Sequence, residues 1–360
     1  MWFPDVPFNE LPPPPRDELE TKTVLKATTA ARAALAALDQ AIHRIPNPAV
    51  LLSAVSLLEA QASSEVENIV TTTDDLFRFA SSVEEHASPE TKETLRYREA
   101  LFKGLHSIKS RPLSTTTAIA VCSTINNHQT GIRRLPGTYI GKPSTGIARY
   151  TPPEGHEVIA NKLAAWEQYL HHDDDLDPLV VMCAAHYQFE AIHPFPDGNG
   201  RTGRILNVLL LIERDLLRQP ILYLSKYIIQ HKDEYYDRLL AVTRDNAWEE
   251  WITYMLRAVE MTARSTLGLI DHIQDLQSSM REELRATLGN TDADLLDLLF
   301  ERPYCRVADV IERCSVSRPT ATKWLRALTD ENHLVSQRVG RENLYINHRF
   351  LASLSKHHDV

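Results

Sequence analysis

The chain has 360 residues, of which 43% are apolar and 24% are charged. This length predicts two or three domains with real cores, and the even spread of apolar residues excludes a disordered or collagen-like protein. No run approaches 18 consecutive apolar residues and the N-terminus lacks a signal-peptide pattern, so we expect no membrane partner. Four cysteines without a CxxC pair and a net charge of −9 favour a soluble, cytoplasmic protein over a nucleic-acid coat protein.

The sequence pattern of the first 110 residues predicts an N-terminal helical region that follows a proline-rich arm. The run from Pro12 to Pro15 is incompatible with a helix or a central strand, so we expect this arm to lie extended on the surface. Apolar residues at intervals of three and four then predict helices over about 24–45, 50–60, 63–73, 91–107 and 115–126.

Residues 111–266 form the predicted catalytic core, which one non-helical segment interrupts. Between 133 and 153, Gly and Pro surround two short β-prone pieces at 138–140 and 147–150, which predicts a β-hairpin. Helical patterns then cover about 157–169, 178–192, 203–214, 225–242 and 248–266. The charged helical stretch at 267–290 is typical of a connector between domains.

Residues 291–350 predict a winged helix, which is a variant of the helix-turn-helix. Three short helices are expected over 291–300, 307–314 and 318–330, and a two-stranded ribbon around Gly340. The segment from Arg318 would be the recognition helix, and Arg318, Lys323 and Arg326 could face nucleic-acid phosphates. Ten basic and ten acidic residues in 291–360 make this module neutral, so a protein-interaction role is an alternative.

The segment 193–204, HPFPDGNGRTGR, begins with groups that suit a phosphate ligand. The residue before a proline disfavours the helical region, so a helix should end near His193 and leave its imidazole able to accept a proton. Gly198 and Gly200 permit the positive φ that turns successive N–H groups into an anion-binding nest. The next helix adds its N-terminal donors and dipole. A dinucleotide fold is excluded because a helix, not a strand, precedes these glycines.

Three charged side chains complete this phosphate site. Asp197 offers a hard oxygen ligand for Mg²⁺ that bridges phosphates. Arg201 and Arg204 are three residues apart on one helical turn, so both guanidinium groups can reach the same phosphate chain. Together with His193 these groups predict phosphoryl or nucleotidyl transfer.

The same segment matches every fixed position of HPF-x-(D/E)-GNGR-x-x-R, the motif of the Fic family, which the chain resembles over about residues 1–350. The resemblance is to the class that has an N-terminal inhibitory helix and a C-terminal winged helix. It implies a mainly α fold, with a Fic helical core and a β-hairpin flap at 133–153 that aligns a target segment as an added strand.

The activity implied by this resemblance is transfer of AMP from ATP to a Ser, Thr or Tyr hydroxyl of a protein, including the enzyme itself. His193 would be the general base, Asp197 would hold Mg²⁺, and Tyr236 would lie near the adenine. The residues implied in binding the nucleotide are His193, Gly198, Asn199, Gly200, Arg201, Thr202, Gly203, Arg204, Tyr236 and, by opposing the γ-phosphate, Glu67.

A second motif, Ser63-x-x-x-Glu67-Asn68, matches the inhibitory sequence (S/T)-x-x-x-E-(G/N) of the family. The resemblance implies that the helix around 63–69 places Glu67 on Arg204, in the position that the γ-phosphate of ATP should take. The carboxylate would also repel the charged end of ATP. We therefore expect a self-inhibited enzyme.

Two alternatives use the same residues differently. In one, the protein is a hydrolase that removes AMP from a modified protein, with Glu67 orienting water. In the other, it is a DNA-binding regulator whose Fic core senses nucleotide. The expected partners are ATP, a protein target whose identity the sequence leaves open, and a second copy of the chain in a homodimer.

Overall fold

The computed structural model describes residues 2–42, 47–80, 87–142, 147–172, 175–289, 292–339 and 342–359. Within them the protein is mainly helical, as predicted. The helices are α1 (Lys22–Ala41), α2 (Pro48–Val66), α3 (Thr73–Ala80), α4 (Pro89–Ile108), α5 (Thr115–Asn126), α6 (His156–Leu170), α7 (Pro178–Ile192), α8 (Asn199–Glu213), α9 (Leu224–Gln230), α10 (Lys232–Asp245), α11 (Trp248–Leu288), α12 (Ala293–Glu301), α13 (Val307–Cys314), α14 (Arg318–Asp330) and α15 (His348–Asp359). The strands are β1 (Ile140–Lys142), β2 (Ile147–Tyr150), β3 (Tyr304–Cys305), β4 (Val335–Val339) and β5 (Glu342–Ile346). None of the helices in these ranges combines the length and apolarity needed to cross a membrane.

The N-terminal arm lies against the body of the protein, as its prolines predict. The Phe8 amide donates to the Thr151 carbonyl over 3.0 Å, and the Thr151 hydroxyl donates to the Pro4 carbonyl over 2.7 Å. The arm therefore covers the chain just after β2.

Helix α2 corrects one expectation, because it runs without a break from the helix predicted over 50–60 into the start of the one predicted over 63–73, and it ends at Val66. The intervening residues 61–64 include neither Gly nor Pro and are buried, so nothing interrupts the helical hydrogen bonds. The inhibitory segment predicted around 63–69 is therefore the last turn of α2 and a tight turn after it. Asn68 makes that turn with a φ of 63°.

Helices α7 and α8 form the centre of the fold and frame the loop that joins them. Nearly every side chain of α7 is buried, as in a helix that is apolar on all sides. Helix α6 packs on α7, and α4 and α5 pack on α8. Helix α8 begins at Asn199, four residues before its predicted start, directly after Gly198, whose φ is 82°.

The predicted hairpin is present, with a first strand that begins two residues later than expected. Strands β1 and β2 pair antiparallel, and the register shifts between Ile140 and Gly141. The residues at 143–146, which join the two strands, lie outside the described residues.

Helix α11 joins the stretch predicted as a helical connector at 267–290 to the last core helix without a break. One helix of 41 residues contains both the last predicted core helix and the supposed connector. Its second half buries Ile270, Ile273, Met280 and Leu284, and α1 packs along its length. The charged residues of this stretch belong to the exposed side of an amphipathic helix, so their number alone did not indicate a linker.

Residues 292–359 form a C-terminal module whose order of helices and strands is the one expected of a winged helix. Strand β5 is central and pairs antiparallel with both β3 and β4. Strand β3 and the last helix, α15, were not predicted. Gly340, at the predicted turn of the ribbon, lies outside the described residues.

The C-terminal module packs against the helices that precede the catalytic core. The Asn47 amide group, at the start of α2, donates to Asp297 over 3.2 Å and also to Glu301. The Tyr304 hydroxyl donates to Asp74 in α3. The module therefore contacts the same helix whose other end carries the inhibitory motif.

Candidate active site

The loop between α7 and α8 is held in one shape by its own side chains. His193 takes the left-handed conformation, with φ 49° and ψ 60°, so the chain turns sharply at the end of α7. The Asn199 carboxamide then closes the loop, because it accepts from the Phe195 amide and donates to the Phe195 carbonyl, each over 2.8 Å. The Asn199 side chain, predicted to bind nucleotide, is thus committed to the loop. Its backbone N–H, in the first turn of α8, is left for a ligand.

Asp197 presents an exposed carboxylate on an anchored backbone. Its side chain is 77% exposed, and its carbonyl accepts from the Asn126 amide group over 3.1 Å. Among the described residues, no group of three His, Cys, Asp or Glu could hold a metal ion. Mg²⁺ typically uses one or two carboxylates together with phosphates and water, so this single carboxylate fits a cation that arrives with a nucleotide.

The two glycines of the nest have different roles, which corrects the prediction that both supply positive φ. Gly198 does so, with φ 82°. Gly200 is helical, and a Cβ there would lie 2.3 Å from Glu67 Oε1 and 3.0 Å from Arg204 Nη1. Gly200 is therefore required for the close approach of these two side chains and not for a turn.

Arg204 is bound by the end of α2, as the inhibitory motif predicts. Its Nε donates to Ser63 Oγ, and its Nη2 donates to both the Ser63 carbonyl and Glu67 Oε1, each over 2.8 Å. The Arg204 side chain is 1% exposed, and the Glu67 side chain is 32% exposed. Asn68 supports the turn through its Oδ1, which accepts from Lys232 Nζ over 3.0 Å. The predicted inhibitory residues are thus brought together.

The electrostatics of the Glu67–Arg204 pair follow from its position. Burial alone would raise the pKa of the Glu67 carboxyl, but the charge and the hydrogen bond of Arg204 outweigh it, and the pKa is lowered. Burial would likewise lower the pKa of Arg204, but the Glu67 carboxylate raises it. Both side chains are therefore ionised at neutral pH. His193 is among the charges that act on Glu67, so the pair lies close to the histidine.

His193 lies in surroundings that keep its ring neutral. Burial lowers the pKa of His193 from 6.5 to about 4, with a further contribution from the Arg133 guanidinium. Arg133 also fixes the backbone here, since its Nε donates to the His193 carbonyl over 2.8 Å. A neutral imidazole above pH 4 is the form that can accept a proton. Arg133 was not identified from the sequence, because no local pattern links it to a residue 60 positions away.

Arg201 is held by a carboxylate that the sequence did not reveal. Its Nη1 pairs with Glu93 in α4, and its Nη2 lies 3.8 Å from Asp197 Oδ2. The Arg201 side chain is only 2% exposed. Both arginines of the motif are thus paired with acidic residues from the N-terminal helices.

The three other residues predicted to bind the nucleotide, Tyr236, Thr202 and Gly203, differ in their surroundings. Tyr236 is half-buried, and its pKa is raised by burial and then by the Glu67 carboxylate, while its place near the adenine stays a prediction. Thr202 is fully buried, and a Cβ on Gly203 would meet Glu190 Oε1 in α7 at 2.3 Å. Thr202 and Gly203 therefore serve the packing of α8, and their predicted contact with nucleotide is not supported.

A second glutamate of α2 was also missed. Glu59 is buried, and its carboxylate accepts from the Tyr97 hydroxyl over 3.1 Å, from the Ser225 amide over 2.9 Å and from the Ser225 hydroxyl. Burial raises the pKa of Glu59 from 4.5 to about 7, although these hydrogen bonds act to lower it. Glu59 therefore anchors α2 to α4 and α9, one turn before Ser63.

Comparison with known families agrees with this geometry. Residues 25–106 match the Fic/DOC family N-terminal domain, residues 112–211 match the Fic/DOC family, and residues 276–350 match the C-terminal domain of SoFic-like protein adenylyltransferases. The matches follow one another along the chain and cover most of it. The chain belongs to the Fic family. The segment 193–204 with its HPFPDGNGRTGR motif lies within the central match.

Individual relatives resemble this Fic protein over limited regions. A probable protein adenylyltransferase of Aquifex aeolicus is 38% identical over 81 residues, which are 22% of this chain and 25% of the relative. A protein adenylyltransferase Fic of Aedes aegypti is 30% identical over 122 residues, or 32% of this chain and 22% of the relative. The chain thus spans a quarter or less of these relatives.

Solved structures share the fold at low sequence identity. A Fic family protein from Desulfovibrio desulfuricans has a TM-score of 0.51 at 18% identity and covers 93% of this chain and 98% of its own. A fragment of Fic-1 from C. elegans has a TM-score of 0.52 at 18% identity and covers 67% of this chain and 71% of its own. These likenesses establish the Fic fold.

Proposed function

We propose that this Fic protein is a protein adenylyltransferase, which transfers AMP from ATP to Ser, Thr or Tyr hydroxyls of proteins, itself included, and is self-inhibited by Glu67. The observation that carries the proposal is the arrangement at Arg204, where Glu67 occupies one edge of a buried guanidinium group in the Fic motif. The names of the relatives support the activity.

The first role in this mechanism belongs to His193. Its ring is neutral because its pKa is lowered to about 4, so it can accept the proton of the target hydroxyl while the oxygen attacks the α-phosphorus. The new bond joins that oxygen to phosphorus, and the bond to the bridging oxygen breaks, which releases pyrophosphate. Arg133 donates to the His193 carbonyl and so fixes the backbone from which the imidazole ring projects.

The remaining groups bind and orient the triphosphate. The first N–H groups of α8 would face the α-phosphate. Asp197 would hold Mg²⁺, which when bound neutralises charge on the α- and β-phosphates. Arg204 would bind the γ-phosphate once Glu67 leaves it. Fixed positive charge at these points lowers the barrier mainly by electrostatic stabilisation.

The inhibited state follows from competition for Arg204. Because Glu67 is ionised and bound to Nη2, a γ-phosphate must displace it or bind elsewhere. ATP bound elsewhere would turn its α-phosphate away from the attacking oxygen. The last turn of α2 is anchored by Glu59 and Ser63, so inhibition is a property of the folded chain and needs no second protein.

A Glu67→Gly variant tests the proposal directly. With α-labelled ATP and Mg²⁺, self-modification should rise at least about tenfold, since removing the carboxylate frees a guanidinium edge. The matched control is Glu90→Gly, at an exposed glutamate in the first turn of α4, which should behave as wild type. His193→Ala added to Glu67→Gly should abolish labelling. Equal labelling in wild type and Glu67→Gly would refute self-inhibition, and no labelling in any variant would refute the activity.

Removal of AMP is a second candidate, favoured by one observation. The ionised Glu67 carboxylate lies near both Arg204 and His193, where it could orient a water molecule toward a bound AMP group. Incubation of an AMP-modified target with wild type and with Glu67→Gly separates the two reactions. AMP release by wild type that is lost in the variant would support the hydrolase.

A further inference from the structure

The exposed side of α14 carries positive charge that the fold does not use. The helix buries Ala321, Leu325 and Leu328 against the rest of the C-terminal module. Lys323 and Arg326 are exposed on the opposite side, as the helical angle of 100° per residue requires, and Arg318 is exposed in the first turn of the helix. With Thr322 and Asp330 they line a shallow depression along the helix.

These three cations differ from the other arginines of the module. Arg302 pairs with Asp309, Arg306 with Glu342, Arg313 with Asp294 and Glu301, and Arg349 with Glu283. By contrast, among the described residues no carboxylate pairs with the three cations of α14, nor with exposed Arg338 on β4. The equal numbers of acidic and basic residues in the module thus conceal an uneven distribution, because three cations and one carboxylate, Asp330, line the depression along α14.

The geometry around α14 suits one kind of partner. Helix α13, the turn at 315–317 and α14 form a helix-turn-helix, and β4 with β5 forms a ribbon beside it. In such modules the second helix fits the major groove of duplex DNA, and the flanking elements reach the phosphates. Because the whole chain carries a net charge of −9, its other surfaces repel DNA and would confine binding to this face.

We propose that α14 and β4 form a docking surface for duplex DNA, with Arg318, Lys323, Arg326 and Arg338 on the phosphates. This proposal is independent of AMP transfer. Four phosphate contacts predict a slope of about −3.6 for log affinity against log salt concentration, so raising salt from about 50 to 200 mM should weaken binding about 150-fold.

Fluorescence anisotropy of the full chain with a labelled, mixed-sequence duplex of about 24 base pairs tests this. The triple variant Arg318→Ala, Lys323→Ala, Arg326→Ala should bind at least tenfold more weakly at low salt and reduce the slope to about −1. A matched control, Lys22→Ala, Lys26→Ala, Lys109→Ala, removes the same charge elsewhere and should behave as wild type. Circular dichroism checks that both variants fold.

Three results would overturn the proposal that this surface binds duplex DNA, and a fourth would reject α14 as the contact surface. The three are absence of duplex binding by wild type at low salt, equal loss of binding in both triple variants, and tighter binding of the corresponding single strand than of the duplex. The first would favour a protein-interaction module, and the second would indicate a general charge effect. Retained binding and salt slope in the α14 variant would likewise reject α14 as the contact surface.

A different observation, the Glu93–Arg201 pair, supports a second inference, which rests on the proposed function. Glu93 binds Nη1 of a nearly buried Arg201, while Nη2 faces Asp197 and Nε is buried without a partner among the described residues. We infer that Glu93 is a positioning residue that holds the Nε–Nη2 edge of Arg201 toward the nucleotide phosphates. Glu67 binds Nη2 of its arginine, whereas Glu93 binds Nη1 and leaves the Nε–Nη2 edge.

Isothermal titration of ATP into Glu67→Gly and Glu67→Gly/Glu93→Gln measures this role without requiring turnover. The second variant should bind ATP about tenfold more weakly and show a higher KM with little change in kcat. The reason is that the lost phosphate contact stabilises bound ATP and the transition state equally. Glu93→Asp should restore part of the affinity, and Glu90→Gln on the same helix is the control.

Tighter binding in the Glu93 variant would show that Glu93 blocks the site, and unchanged binding would show that it does not position Arg201. Absent turnover with normal binding would instead count against the proposed function.

Discussion

Glu59 and Glu67 lie eight residues apart on the inner side of α2, yet their environments are opposite. Glu59 is 2% exposed and receives only neutral donors, so its pKa is raised to about 7. The Glu67 side chain is 32% exposed and faces a guanidinium group, so its pKa is lowered. The same residue type therefore anchors the helix at one point and forms a displaceable ion pair at the other. Under the proposed function, the regulatory part of the segment is the end of α2, and the part before it is structural.

The largest expected effect comes from removing the cation that makes the two glutamates differ. Arg204→Ala in the Glu67→Gly background should lose about 1,000-fold in AMP transfer, because the γ-phosphate has no partner whether or not Glu67 is present. Initial rates with labelled ATP measure it, and Arg264→Ala, an exposed arginine on α11, is the control. Activity that survives in the double variant would mean that Arg204 matters only for inhibition.

Glu59→Ala tests the anchoring side of the comparison. It leaves the Tyr97 hydroxyl and both donors of Ser225 without their acceptor, so the free energy of unfolding should fall by about 3 kcal/mol. Urea denaturation measures the loss. Glu65→Ala on the same helix should change stability by no more than about 0.5 kcal/mol. Similar losses in both variants would contradict an anchoring role for Glu59.

The pH dependence of stability should also distinguish Glu59. Because its pKa is raised from 4.5 to about 7, the folded chain keeps a proton that the unfolded chain releases. The resulting stabilisation is fully present below pH 4.5 and is lost as the pH rises to about 7, with about 2 kcal/mol lost between pH 5 and pH 7. The difference between urea titrations of wild type and Glu59→Gln isolates this group. Parallel pH profiles for the two proteins would exclude the raised pKa.

Asp197 gives the smallest effect, because it lacks the burial of Glu59 and lies 3.8 Å from its arginine, compared with 2.8 Å between Glu67 and Arg204. Its exposed carboxylate competes with water for Mg²⁺, so Asp197→Asn should raise the Mg²⁺ concentration for half-maximal activity about tenfold in the Glu67→Gly background. A metal titration at saturating ATP measures it, with Asp233→Asn as the control. An unchanged titration would place the metal elsewhere.

The sequence predicted the parts of the site that are contiguous in the chain. His193, Asp197, Gly198 and Arg204 lie within twelve residues, and the local conformation of one loop and one helix turn brings them together. Glu67 was found only because its motif has a recognisable spacing of its own.

Residues that reach the site by tertiary packing were not predictable in this way. Glu93, Glu59 and Arg133 come from α4, α2 and the start of the predicted flap, and no periodicity links them to the motif. The continuity of α11 was missed for a related reason. Charges on the exposed side of a helix resemble those of a linker until its buried side, with Ile273 and Leu284, is matched to a partner helix.

The 41 residues of α11 extend for about 60 Å without a break. The number of residues in this helix therefore sets the rotation of the C-terminal module relative to the core. One residue inserted between 267 and 288 would rotate the C-terminal module by about 100° about the helix axis and separate Tyr304 from Asp74. Seven inserted residues would nearly restore the rotation but displace the module by about 10 Å. A loop could accommodate such an insertion by changing its own path, but α11 would convert it into a rotation of the C-terminal module relative to the core.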